Sequence, residues 1–253
     1  MKEDLTSETD SSWPREKRCR VLSLSGGGAK GAYAIGILKG ILENLEGDEG
    51  DYDVLSGVSV GSINALGMSM FDYGEQEEMV DALTNMWLNL TSAGVYRSWP
   101  DAGWKPIYGL TDASGFYDNT PLFDLLSGLF HSQKIKKRVI VSANDAITGS
   151  YINMKLHEYN DDKVKIVSSV VGSASVPFFF PPRNMSKFGE DYLLIDGGSS
   201  WNNNLISGVK ECMMMDGINK HEEIDIDIIS LDGTHLPNFT DPRNSSLYEP
   251  ATM

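Results

Sequence analysis

Gly57-Val-Ser59-Val-Gly61 sets a serine between two residues that lack a Cβ. On a tight turn between a strand and a helix, such a serine projects its Oγ above the sheet. The helix that follows, beginning at Val60, then points backbone N–H groups at any developing oxyanion. That is the chemistry of acyl transfer. With 25 Gly among 253 residues the five-residue string has little weight by itself. Its setting carries more: the apolar pair Val54-Leu55 precedes it, and the helical run Ile63-Asn64-Ala65-Leu66 follows.

A second glycine turn, Gly26-Gly27-Gly28-Ala29-Lys30-Gly31, also lies between a strand and a helix. Read literally it satisfies the dinucleotide fingerprint, with Asp51 and Asp53 at the spacing of the ribose-binding acid. That acid belongs at the end of the second strand, whereas Asp51 and Asp53 stand before or at the start of theirs. A phosphate-binding P-loop fails too, because Gly31 is followed by Ala32 and Tyr33 rather than by Lys and a hydroxyl residue. Consecutive glycine N–H groups also suit the oxygen of a tetrahedral intermediate, with Lys30 adding positive charge nearby.

Ile195-Asp196-Gly197-Gly198 places a carboxylate at the end of a strand, before a sharp exit. A serine nucleophile needs a base, and His131, His157, His221 and His235 sit in no recognisable motif. Direct contact of Asp196 with Ser59 would make a dyad. A Ser-Asp-His triad drawing on His221 or His235 is the rival arrangement.

Four ordered segments, Ser25 to Gly31, Gly57 to Gly61, Ala174-Ser-Val-Pro-Phe-Phe-Phe-Pro-Pro182, and Asp196-Gly-Gly198 with Asn202-Asn203, give the chain its resemblance to patatin-like phospholipases. It spans residues 20 to about 231. The resemblance implies Ser59 as nucleophile, Asp196 as its base, and Gly26, Gly27 and Gly28 as the oxyanion-hole loop. Lys30 matches the family's basic position, while Gly57, Gly61 and Gly197 shape the turns. It further implies calcium-independent hydrolysis of acyl esters in phospholipids or other glycerolipids, with no cofactor and no metal, and with transient contact to a membrane surface. Ser25 and Asn204 depart from residues common in the family, and neither removes a catalytic atom. The competing functions are a general carboxylesterase with a triad and a non-catalytic binding protein on the same fold.

The elements that must position these groups follow from periodicity. Strands are expected at Arg20–Ser25, Tyr52–Ser56, Arg138–Ala143, Tyr151–His157, Tyr192–Ile195 and Ile224–Leu231. Helices are expected from Ala29 to Leu45, over Val60–Phe71 and 76–89, from Pro121 to Leu129 with Thr120 as cap, and over Lys163–Ala174. Thr91 to Asn119 has no period and reads as an irregular segment, either a lid or a substrate-facing loop. Val176 to Phe180 is expected beside the site, in the core or along an acyl channel. The alternation predicts an α/β fold: a mainly parallel central sheet with helices on both faces in the patatin-like three-layer architecture, its site at the carboxyl ends of the strands.

Composition narrows the rest. Lys+Arg 21 against Asp+Glu 36, a net charge of −15, argues against nucleic acid as a partner. No apolar stretch is long enough to span a bilayer, and residues 1–18 read as a flexible polar tail without the apolar core of a signal peptide. Residues 19–231 are expected to form the hydrolase domain. Residues 232–253 form a polar segment where that domain either ends or is cut short. Two cysteines, Cys19 and Cys212, make no disulfide framework and point to a reducing, cytoplasmic setting, peripheral at membranes. The run Lys134, Lys136, Lys137 and Arg138 is read first as a solvated face, and otherwise as a contact for anionic headgroups.

Overall fold

Side chains along a strand alternate between faces, so the run Cys19–Leu24 (β1) must serve two cores at once. Cys19 and Val21 pack with Val54, Ile140 and Cys212, whereas Leu22 and Leu24 join the larger cluster on the opposite face. A sheet covered on both sides results. This computed structural model describes residues 18–45, 50–99, 114–159, 162–187 and 190–231. The expected N-terminal tail and C-terminal segment lie almost wholly outside them.

In chain order the elements are β1, α1 (Gly31–Leu42), β2 (Val54–Val58), α2 (Val60–Met68), α3 (Gln76–Asn89), the single turn α4 (Ser92–Val95), α5 (Thr120–Leu129), β3 (Arg138–Asp145), β4 (Tyr151–Lys155), α6 (Lys163–Ser173), β5 (Arg183–Lys187), β6 (Glu190–Asp196), α7 (Leu205–Cys212) and β7 (Ile224–Ile229). The sheet runs β5-β6-β3-β2-β1-β7, with β4 also paired to β3. Strands β7, β1, β2 and β3 are mutually parallel, while β4 and β6 run against β3. The sheet is therefore mixed but mostly parallel. Helices α1, α2, α3, α5 and α6 build the layer on one face, and α7 covers the other against β1 and β2.

Several expectations need correction. Strand β5 and helix α7 were not anticipated. The helix at Thr120 is preceded by Asn119, so Thr120 is its first residue rather than its cap, and Pro121 still falls in the first turn. The stretch from Thr91 is not wholly irregular: it holds α4, and Arg97 bridges Asp118; residues 100–113 lie outside the described part. Cys19 and Cys212, 193 residues apart in sequence, form a disulfide between β1 and the end of α7. Proximity in the fold, invisible to spacing, overrides the expectation of unpaired thiols and removes the argument from cysteine count for a reducing compartment. No described helix is long and apolar enough to cross a membrane.

Candidate active site

Register brings the key groups together. Val58, the last residue of β2, lies opposite Ser142 on β3, and Ala143 on β3 lies opposite Asp196 on the antiparallel β6. Ser59 and Asp196 thus leave their strands one step apart along β3, which runs between them. Strand β6 reaches this level by running against its neighbour, so the site is not simply a row of parallel carboxyl ends.

Ser59 has φ 53° and ψ −125°, a conformation that a residue with a Cβ adopts only under constraint. The constraints are close backbone contacts. A Cβ on Gly57 would fall 2.4 Å from the Gly61 carbonyl oxygen, and one on Gly61 would fall 2.3 Å from that of Leu24. Both positions therefore have to be glycine. The Ser59 N–H donates to Ser173 Oγ at 2.9 Å, and that hydroxyl donates to the Ser142 carbonyl at 2.6 Å. The Ser59 carbonyl accepts from Ser62 Oγ at 2.5 Å. With its backbone fixed at both ends, Ser59 donates its own hydroxyl to Asp196 Oδ2 at 2.5 Å.

Asp196 is buried, and its other oxygen accepts the Gly198 N–H at 2.7 Å. Burial pushes its carboxyl above the ordinary range, against the lowering effect of the hydrogen bonds from Ser59 and Gly198. The result is a carboxylate of raised basicity facing a serine hydroxyl. Gly197 permits the exit, because a Cβ there would meet the Ser142 carbonyl oxygen at 2.5 Å.

The loop Gly26–Gly28 crosses in front of this pair. A Cβ on Gly26 would meet Asn202 Oδ1 at 2.4 Å and Ser59 Cβ at 3.0 Å, so the loop touches the serine directly. The Gly26 N–H is committed to the Asn202 carbonyl at 3.2 Å, while those of Gly27, Gly28 and Val60 donate to no other described residue. Gly28, at φ 58°, faces open space. Lys30 does not face the serine: its ammonium donates to the Leu231 carbonyl at 3.1 Å and ties the loop to the end of the sheet.

Two cavities meet at Ser59. An open cleft of about 380 Å³ is lined by Gly26, Gly27, Gly28, Asp196, Gly198 and Asn202. An apolar cavity of about 520 Å³ extends between Ile63, Trp87, Leu122, Leu126, Val176 and Phe180. Gly28, Ser59 and Val176 border both. Val176 and Phe180 thus take the expected place beside the site. Its walls are tied together by Asn64, which donates to the Gly31 carbonyl at 3.0 Å and accepts Trp87 Nε1–H at 2.9 Å.

Other candidates lie elsewhere. Asp53 accepts from Arg20 N at 2.8 Å at the amino end of β2, far from the glycine turn, which disposes of the dinucleotide reading. The basic run also lies at that end. Lys137 is buried over the Tyr73 ring and beside Asp51, Lys136 pairs with Glu75 at 3.3 Å, and Arg138 pairs with Glu211 at 2.5 Å. Lys134 and Lys136 are exposed, as on a solvated face, while Lys137 is buried. Among the described residues neither cavity is lined by a histidine; His157 bonds Glu211, His221 precedes β7, and His235 lies outside the described part. No described group of three acidic, histidine or cysteine side chains is placed to hold a metal ion. Ser173, which fixes the nucleophile's backbone, carried no signal in sequence, being one serine among several on a small-residue helix.

Residues 22–209 match the family model described as patatin-like phospholipase. The chain belongs to the patatin-like phospholipase family. Two relatives named cGAMP-activated phospholipase share this family sequence. The one from Vibrio cholerae is 27% identical over 214 residues, covering 78% of this chain and 58% of its own. The one from Escherichia coli is 26% identical over 218 residues, covering 77% and 56%. The chain spans somewhat more than half the length of these curated relatives. Among solved structures, VipD from Legionella pneumophila aligns with 84% of this chain and 50% of its own, at TM-score 0.42 and 14% identity. Family membership accounts for the α/β patatin fold.

Proposed function

We propose that residues 19–231 form a phospholipase-type acyl hydrolase domain that works through a Ser59–Asp196 dyad, without calcium, at the surface of a membrane. The observation that carries this reading is the 2.5 Å bond from Ser59 Oγ to a buried carboxylate, at the junction of an open cleft and an apolar cavity. A cavity of this size lies within the roughly 300–1,000 Å³ of small-ligand sites and suits one acyl chain, with the polar part of the lipid in the open cleft.

Ser59 Oγ attacks the ester carbonyl as its proton passes to Asp196, and a new C–O bond forms. The oxyanion is met by the N–H groups of Gly27, Gly28 and Val60, while Gly26 holds the loop in place through Asn202. Collapse expels the alcohol of the lipid, which takes the proton from Asp196. Water then gives a proton to Asp196 as its oxygen attacks the acyl-enzyme, and departure of the free fatty acid returns that proton to Ser59. Lys30 supports this machinery by anchoring the glycine loop.

The test is fatty-acid release from phosphatidylcholine vesicles and hydrolysis of a short nitrophenyl ester, both in EDTA, with and without cGAMP because the relatives' names include that activator. Ser59→Ala and Asp196→Asn are each expected to lower both rates by about 10³-fold or more. Retention of either rate in Asp196→Asn would exclude the dyad, and dependence on added calcium would exclude the metal-free step.

A further inference from the structure

Phe178 is unusual twice over. It is 72% exposed, and it has φ 69°, a region that bulky side chains avoid at a cost of order 1–3 kcal/mol. The surrounding chain enforces the conformation: Phe116 N–H donates to the Phe178 carbonyl at 2.8 Å, and Tyr117 N–H donates to that of Phe179 at 2.9 Å. The crossing is tight enough that a Cβ on Gly115 would lie 2.5 Å from the Phe180 carbonyl carbon. What this rigid corner presents to water is two phenyl rings, since Phe179 is 55% exposed as well.

Their chain neighbours in the same turn, Val176 and Phe180, line the apolar cavity, so the exposed rings lie next to its wall. Other exposed aromatics adjoin residues that line one or the other of the two cavities, or pack beside Phe178. Tyr33, 65% exposed, lies one helical turn after Ala29, which lines the cavity. Trp201, 57% exposed, precedes Asn202 in the cleft wall and packs on Tyr151 with ring centroids 5.8 Å apart. Phe116 is exposed beside Phe178. None of the five is charged, and the nearby Arg97 is neutralised by Asp118 at 2.8 Å. The whole chain carries −15, so an anionic surface would repel it, whereas uncharged aromatic side chains suit the boundary between headgroups and acyl chains.

We propose that Tyr33, Phe116, Phe178, Phe179 and Trp201 form a docking rim that seats the mouth of the cavity on a zwitterionic phospholipid bilayer. The inference rests on the acyl-lipid reading above for the continuity between rim and cavity. Binding to vesicles can nevertheless be measured without turnover, so the two are separable.

The experiment is cosedimentation of the Ser59→Ala chain with phosphatidylcholine and with phosphatidylglycerol vesicles, alone and with Phe178→Asn or Phe179→Ser added. Asparagine accepts the left-handed conformation better than phenylalanine, so Phe178→Asn should hold or raise the melting temperature while removing the ring. Each substitution is expected to weaken phosphatidylcholine binding by about tenfold, from the loss of one buried phenyl group. In the chain with Ser59 intact, hydrolysis of the soluble nitrophenyl ester should stay unchanged. Vesicle binding untouched by both substitutions, preference for phosphatidylglycerol, or a dimer that Phe178→Asn converts to monomer would each overturn the docking rim. A chain with Ser59 intact that shows rim-dependent binding but hydrolyses neither ester nor lipid would uphold the rim and remove the hydrolase reading instead.

Discussion

The two ends of the same sheet treat a buried carboxylate in opposite ways. At the amino end, Glu211 on α7 is buried beneath Arg138, Lys155 and His157, with Arg138 Nη1 at 2.5 Å and Lys155 Nζ at 2.7 Å. Burial works to raise its carboxyl, but hydrogen bonds from Lys155 and Arg138 and the charge of His157 outweigh it and hold it below the ordinary value. At the carboxyl end, Asp196 has, among the described residues, a serine hydroxyl and one backbone N–H on its carboxylate, and burial wins. A neutralised carboxylate stabilises the fold and cannot take a proton at neutral pH; an under-neutralised one can.

The sharpest way to break this contrast is to weaken the amino end alone. Reduction of Cys19–Cys212, or Cys212→Ser, should cost about 2–4 kcal/mol of stability, read as a lower denaturation midpoint. Ester hydrolysis per folded molecule, measured well below the transition, should remain. Glu211→Gln acts on the same end more mildly. It should cost about 2 kcal/mol, less than the roughly 3–5 kcal/mol of a fully buried pair, because Arg138 and Lys155 are partly open to solvent screening. Chemical denaturation checks the loss, and again activity should persist.

Ser173→Ala probes the other end. It deprives the Ser59 N–H of its partner and should lower kcat by about tenfold, the worth of one buried hydrogen bond of about 1–1.5 kcal/mol, with KM little changed. An unchanged kcat would show that the glycine contacts alone hold the turn.

The smallest effect is the most diagnostic, because the two carboxylates have opposite signs. Glu211, with its lowered pKa, contributes stability above the ordinary carboxylate range, and this is lost as pH falls through the lowered value. Asp196, with its raised pKa, contributes stability at low pH, and this is lost as pH rises through the raised value. Ester hydrolysis needs ionised Asp196 and should therefore fall as pH drops through a limb above the ordinary aspartate value of about 3.9. Substituting His131, His157 and His221 should leave that limb in place.

Much of the carboxyl end was legible in sequence because its chemistry needs rare local combinations. Glycines at 57 and 61 are required by backbone contacts on either side of Ser59, and Gly26, Gly27, Gly197 and Gly198 mark turns where a Cβ would collide, while Gly28 takes a left-handed conformation. The amino end was less legible, since Cys19, Arg138, Lys155 and Glu211 come from four distant elements. Strand β5 was missed because it is an edge strand with polar residues and a single described buried apolar side chain, Met185. Helix α7 was missed for its eight residues and its internal Gly208, where a Cβ would lie 2.5 Å from Val21 Cγ1. Lys30 was expected to add charge near the oxyanion, but its position in sequence did not reveal that Leu231 would claim its ammonium.

The central claim, that Ser59 is activated directly by Asp196, is tested most directly by labelling the chain with a fluorophosphonate and locating the adduct by peptide mass spectrometry. A single adduct on Ser59 is predicted, absent from Ser59→Ala and formed at least about 10³-fold more slowly in Asp196→Asn. Labelling of Asp196→Asn at the undiminished rate, or an adduct on another serine, would contradict the account.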